Sequence, residues 1–191
     1  MNPIQAIVSR RSVARLTAPA PADHELMLLV EKAATAPDHG LLRPWRLIVI
    51  RGEARRIVGS ALAADTGDDR DAGKPLRAPL LVTIVFQPQA GRKVAEWEQL
   101  AATSAMVQNL SLLLHIRGWG SIWRTGPHLD KPAIREALGL AESERLLGWL
   151  YIGTPEPHQR VVRRPSMDVR TRVSSLDETL DQSLDQSGAR S

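Results

Sequence analysis

The chain has no cysteine, and only one phenylalanine and one tyrosine among its 191 residues. The first absence excludes disulfides, thiolate metal sites and thiol nucleophiles, and leaves the redox compartment open. No apolar run could cross a membrane: the longest, residues 78–86, falls far short of the roughly 18 residues that a spanning helix needs. The first five residues hold no apolar signal core, so the expected location is the cytoplasm, with no membrane partner. Lysine is scarce as well. Of 25 basic residues only Lys32, Lys74, Lys93 and Lys131 are lysines, so arginine carries most of the positive charge, net +4. Arginine suits bidentate phosphate binding. The five tryptophans lie beside apolar runs, as core residues do, and give little support to base stacking. Nucleic acid is therefore disfavoured as a partner.

The usual catalytic signatures are also missing. There is no P-loop, no G-x-S-x-G, and no G-x-G-x-x-G after the first strand. His24, His39, His115, His128 and His158 are scattered without ligand spacing, so no metal is expected. No side chain stands out as an obligatory acid, base or nucleophile. A chain of this kind is a candidate for chemistry carried by a bound cofactor.

What is present alternates between helical and strand patterns. Asn2-Pro3-Ile4-Gln5 has the form of a capping box and predicts a first helix. Residues 23–35 predict a second, residues 45–50 a strand, and Ile57, Val58, Ala61 and Leu62 a third helix. Residues 65–74 read as a polar, mobile connection. Residues 78–86 predict a strand buried on both faces. Residues 94–117 predict a long helix, with Trp97, Leu100, Ala101, Ser104, Val107, Gln108, Ser111 and Leu114 on one side. Its other faces are also apolar, as expected of a helix buried in a core or an interface. A short strand at 120–123, a helix from Asp130 to Gly139 and a strand at 146–152 follow. The class is α+β or α/β, with helices around a mixed sheet. One domain is expected over residues 1–157, followed by a partly disordered tail over 158–191 that includes a basic stretch at 160–172.

Three segments can carry chemistry. Arg10, Arg11 and Ser12 stand at a helix-to-loop junction and could hold a phosphate; alone, such a tripeptide is ordinary on surfaces. Ala36-Pro37-Asp38-His39 precedes a strand entered through Arg43-Pro44-Trp45; it could present Asp38 and His39 to a ligand or be a plain turn. Gly118-Trp119-Gly120-Ser121-Ile122-Trp123-Arg124-Thr125-Gly126 allows close backbone approach to a flat ligand, or is a tight connection packed by two tryptophans.

Together with Tyr151-Ile152-Gly153-Thr154-Pro155, the three segments resemble the nitroreductase family over residues 1–157. Ala36-Pro37-Asp38-His39, Trp97-Glu98-Gln99 and Ile122-Trp123-Arg124 are similar to a subgroup of compact members. The resemblance implies a nitroreductase-type mixed central sheet flanked by helices, in a domain-exchanged homodimer with FMN at the subunit interface. By motif match, Arg10, Arg11 and Ser12 would hold the phosphate and ribityl end. Thr35, Pro37, Asp38 and His39 would come from the facing subunit. Trp123, Arg124 and Thr125 would line the flavin ring, with Arg124 tuning it. The end of the long helix, Leu113, Leu114, His115, Ile116, Arg117 and Gly118, would meet the nicotinamide cofactor. The implied activity is transfer of hydride from NADH or NADPH through FMN to a nitro, quinone or enone-type small molecule. The alternatives are a flavin- or nucleic-acid-binding module without activity, and dehalogenation or flavin fragmentation on the same fold.

Overall fold

In the computed structural model, which describes residues 2–126, 129, 131–157 and 165–174, the capping box at the start of the chain forms. The Gln5 N–H donates to the Asn2 side chain at 2.9 Å, and the Asn2 N–H donates to the Gln5 side chain. Pro3 occupies the first turn of α1 (Pro3–Ser9). The remaining elements of the first of two compact units, residues 1–159, are β1 (Leu16–Thr17), α2 (Asp23–Ala33), β2 (Trp45–Arg51), α3 (Ala54–Thr66), β3 (Leu80–Phe86), α4 (Glu96–Ile116), β4 (Gly120–Arg124), α5 (Pro132–Ala137) and β5 (Arg145–Pro155). Of the second unit, 160–191, the described part carries a 3-10 turn, Val169–Thr171, in which the Asp168 carboxylate accepts from the Arg170 N–H at 3.1 Å. Residues 158–164 and 175–191, with Arg163 and Arg164, lie outside the described residues, as do His128 and Asp130.

The expected α+β class is observed. β3 is paired on one side with β2, from Trp45 opposite Phe86 to Arg51 opposite Leu80, and on the other with β5. β5 is long enough to pair also with β4 and, at its end, with β1. The pairs among the described residues are antiparallel. Every residue of β3 is buried, as its unbroken apolar run predicts. Leu80, Val82 and Ile84 face a core built with Leu26 and Leu29 of α2 and Met106, Leu110 and Leu114 of α4. Leu81 faces the second core, with Val58 and Leu62 of α3, Ile134 of α5, and Trp149 and Tyr151 of β5. The sheet thus separates an α2/α4 layer from an α3/α5 layer.

Two details differ from expectation. The polar segment after α3 is not a mobile connection: Asp69–Arg77 forms a 3-10 helix packed on α3, and a side chain at Gly59 would strike the Ala72 carbonyl. Asp71 is buried there and pairs with Lys74 at 2.6 Å. In α4 the expected face is divided. Val107, Ser111 and Leu114 are buried together with Gln99, Ala102, Thr103, Met106 and Leu110, whereas Trp97 is 71% exposed and Leu100, Ala101 and Gln108 are exposed too. A helix with almost no polar side gives periodicity nothing to choose by. Among the described residues no helix is long and apolar enough to cross a membrane.

Candidate functional site

The first and third segments meet along β4. Past the end of α1, the Val13 N–H donates to the Ser121 carbonyl at 3.0 Å, which ties the chain just after Ser12 to β4. Arg11 reaches back to the Val8 carbonyl and its own neighbour's carbonyl through one terminal nitrogen. Its Nε is buried without a partner. Ser12 is exposed. His115, near the end of α4, stands next to this group. The Ser9 hydroxyl donates to the Gln5 carbonyl at 2.5 Å, so at the 2.8 Å contact with His115 the Nε2–H is the donor and Ser9 Oγ accepts. Burial holds the His115 ring below the ordinary histidine value, and the charges of Arg10 and Arg11 add to this.

On the α3/α5 side of the sheet these strands open a cavity of about 450 Å3. Its floor is Ile122, Trp123 and Arg124 of β4 with Trp149 and Tyr151 of β5; Thr125, Gly126 and Leu129 form one rim. Leu62 of α3, and Lys74 and Arg77 of the 3-10 helix, form the other. Trp123, Arg124 and Thr125 thus stand together at one concave surface. Lys74, Arg77, Trp149 and Tyr151 were not expected there. The Arg124 guanidinium lies 5.7 Å from the centroid of the Tyr151 ring. Burial raises the Tyr151 hydroxyl above its ordinary value, and Arg124 and Arg77 oppose that rise. Arg124 Nε and Trp149 Nε1 are both buried without a hydrogen-bond partner.

The second segment lies elsewhere. The Asp38 carboxylate accepts from the Arg43 N–H at 2.7 Å and closes the loop that leads into β2. His39 pairs with Glu98 at 2.7 Å, near the start of α4. Pro37 is exposed, and the Thr35 hydroxyl donates to the Lys32 carbonyl at 2.8 Å. From Glu98 to His115 is 17 residues of helix, about 25 Å. His39 and the Arg10–Ser12 group of one chain thus stand near opposite ends of α4.

The end of α4 is mixed in character. Leu113 and Ile116, with Thr35, Ala6, Ile7 and Leu112, line an apolar cavity of about 300 Å3 between α1, α2 and α4. Leu114 is fully enclosed in the core. Arg117 pairs with Glu25 at 3.0 Å, and Gly118 turns the chain at φ 85°. The Trp119 indole N–H and then Arg117 hold the Glu25 carboxyl below its usual range, against burial. Among the described residues no group of His, Asp or Glu is arranged to hold a metal ion.

The donor set suits a flat, anionic, acceptor-rich ligand: cations, indole N–H and unpaired guanidinium nitrogen surround an aromatic floor. The sequence profile of the Nitroreductase family matches residues 7–154. YdjA of Escherichia coli (strain K12), whose name assigns it provisionally as an NAD(P)H nitroreductase, is 35% identical over 164 residues, 82% of this chain and 90% of YdjA. A similarly named protein of Haemophilus influenzae is 31% identical over 81% of this chain and 89% of its own length. The crystal structure of a nitroreductase-like family protein from Bacillus cereus superposes with a TM-score of 0.81 at 24% identity, covering 93% of this chain and 97% of that one. That of NfnB, an FMN- and NADPH-dependent nitroreductase from sphigopyxis sp. strain HMH, gives 0.75 at 20%, over 93% and 100%. The shared fold, the family match over most of the chain and the 35% identity to YdjA together establish that the chain belongs to the nitroreductase family.

Proposed function

We propose that the protein is an FMN-dependent NAD(P)H oxidoreductase that acts on small nitro, quinone or enone-type acceptors as a domain-exchanged homodimer. The observation that carries this reading is the cavity at Trp123, Arg124 and Thr125, in which buried donors lack partners beside three cations. Leaving such donors unmatched costs stability unless a ligand answers them. FMN held there would supply two-electron hydride chemistry between NADH or NADPH and the acceptor. Trp123 and Thr125 would line the ring. Lys74, Arg77 and Arg124 would lower the energy of negative charge that develops in the cavity. Arg10, Arg11 and Ser12 would hold the phosphate and ribityl end, with the unpaired Arg11 Nε available to an anion. The named relatives support the choice of FMN and nicotinamide cofactors over other ligands.

The spacing of His39 and the Arg10–Ser12 group along α4 supports a site completed by a second copy. If His39, Asp38, Pro37 and Thr35 touch the same cofactor as Arg10, they do so from a facing subunit. Exposed Trp97 and Leu100 on α4, and Ile4, Ile7 and Val8 on α1, are the kind of apolar surface a two-fold interface covers. Leu113, His115, Ile116, Arg117 and Gly118 are the candidates for nicotinamide-cofactor contact; enclosed Leu114 would support them from behind.

The test is the absorbance spectrum of the protein as purified, repeated anaerobically with NADH and with NADPH. The expected result is a flavin spectrum that bleaches with at least one nicotinamide and returns when a quinone or nitroarene is added. A colourless protein that takes up no FMN would overturn the proposal, and products of dehalogenation or of flavin breakdown would move it to another reaction.

A further inference from the structure

Arg124 and Trp149 are direct cross-strand partners in the β4–β5 ladder. Residues paired in this way point to the same face, with Cβ atoms about 5 Å apart. Both line the same cavity, and each holds a buried N–H with no partner. Trp149 is only 6% exposed, so its indole is enclosed by protein and not left to bulk solvent. The neighbouring indoles behave differently. The Trp123 Nε1–H donates to the Leu147 carbonyl at 3.0 Å, and the Trp119 Nε1–H to Glu25 at 3.2 Å. Of these three, Trp149 alone is unmatched.

The backbone around it is shaped for this placement. Between Leu146 and Gly148 the register of β5 against β3 shifts, because Val85 pairs with Leu146 while Ile84 pairs with Gly148. The extra residue, Leu147, turns its carbonyl to Trp123. Gly148 sits at φ 119°, and a side chain there would strike the Arg124 carbonyl. A bulge of this kind re-aims the residues that follow it. Here it sets Trp149 opposite Arg124, at the floor of the cavity.

We propose that Trp149 is a ligand-binding residue, whose indole N–H donates to a carbonyl-type acceptor on the ring bound in the cavity, forming with Arg124 Nε a two-donor clamp. The inference rests on the flavin reading above, and the acceptor is an oxygen or nitrogen of the flavin's dione ring. The indole is a neutral donor and the guanidinium a charged one, so the pair orients the ring as well as holding it. Removal of the indole N–H alone should weaken binding without loosening the fold, since an unmatched buried donor gives the empty protein nothing to lose.

The variant is Trp149→Phe, compared with the wild type in three measurements: FMN titration by flavin fluorescence, melting with and without FMN, and flavin carbonyl stretching bands in infrared difference spectra. The expected result is FMN binding about five- to tenfold weaker, a smaller rise in melting temperature on adding FMN than in the wild type, and a carbonyl band moved to higher wavenumber. A further measurement needs no variant: in wild-type protein labelled at indole nitrogen, one unbonded indole N–H resonance should move downfield when FMN is added. Equal affinity with an unmoved carbonyl band, or indole resonances indifferent to FMN, overturns the inference and leaves the flavin reading standing. A wild type that takes up no FMN overturns both.

Discussion

Two polar clusters lie a few residues apart along β5, and they are satisfied in opposite ways. At the start of the strand, Glu144 is buried and every contact is answered. Arg46 meets it with two bonds of 2.7 Å, the Gln87 amide donates at 2.6 Å and the Ala141 N–H at 3.0 Å. Arg135 ties the Glu144 and Ala141 carbonyls to α5. The Glu144 carboxyl is held down to about 2, chiefly by Arg46 and against burial. Farther along, around Trp149 and Arg124, comparable donors are buried with nothing to bond. Both clusters sit beside arginine and aromatic or apolar side chains, so residue type does not separate them. Completeness does. A closed network holds the chain together, and the open one is where the proposed ligand would complete the bonding.

The comparison breaks most visibly at Glu144. Glu144→Ala should lower unfolding free energy by about 3–5 kcal/mol, because Arg46 and Gln87 lose their buried partner. Chemical denaturation measures this, and FMN affinity of the folded fraction should not change. A variant that keeps its stability and loses FMN would reverse the roles assigned to the two clusters. The same residue sets a pH dependence. Its carboxyl titrates lower in the folded chain than in the unfolded one, so its contribution is complete above the ordinary carboxylate value and is lost as pH falls through about 2. The half-exposed Arg46 screens the pair, which leaves about 2–3 kcal/mol to disappear between roughly pH 5 and pH 2. Glu144→Gln should flatten that part of the stability curve.

At the open cluster the effects fall on binding. Arg124→Gln should cost about 1.5–3 kcal/mol in FMN affinity, the range for a hydrogen bond to a charged group, and shrink the rise in melting temperature that FMN produces. Arg10→Ala should cost a similar amount in FMN affinity at the phosphate end. The smallest signal concerns the two-chain site. An Arg10→Ala subunit co-refolded with an equal amount of a His39→Ala subunit gives about half mixed dimers, each with one intact site. Activity at limiting FMN should then rise to about a quarter of wild type per subunit. No gain over the parents in verified heterodimers would mean that each cofactor is held within one chain.

Much of this was legible in the sequence. The capping box at Asn2 and the buried run of β3 stand where pattern puts them, because each depends on local chemistry. Trp123, Arg124 and Thr125, which the resemblance brings to a cofactor, line one cavity. The rest depends on contacts that distance along the chain conceals. Lys74 ends the stretch read as a polar, mobile connection and Arg77 lies just past it; the 3-10 helix, with Ala72 packed against Gly59, carries both to the cavity. Trp149 and Tyr151 read as core residues of a strand, and they are; that one of them holds an unmatched N–H is a fact about its neighbours. The α4 face could not be chosen from a helix that is apolar all round. The resemblance alone assigns His39 and Arg10 to facing subunits; their places near opposite ends of α4 come from packing that local pattern does not encode.

The central claim is that the open cluster is a flavin site, and the most direct measurement is an FMN titration of protein stripped of small molecules, followed by flavin absorbance and tryptophan fluorescence together. The account predicts saturable uptake of one FMN per chain, with quenching of indole emission as Trp123 and Trp149 come beside the ring, and a rise in melting temperature that tracks saturation. An emission and melting temperature that ignore FMN across the titration would contradict it.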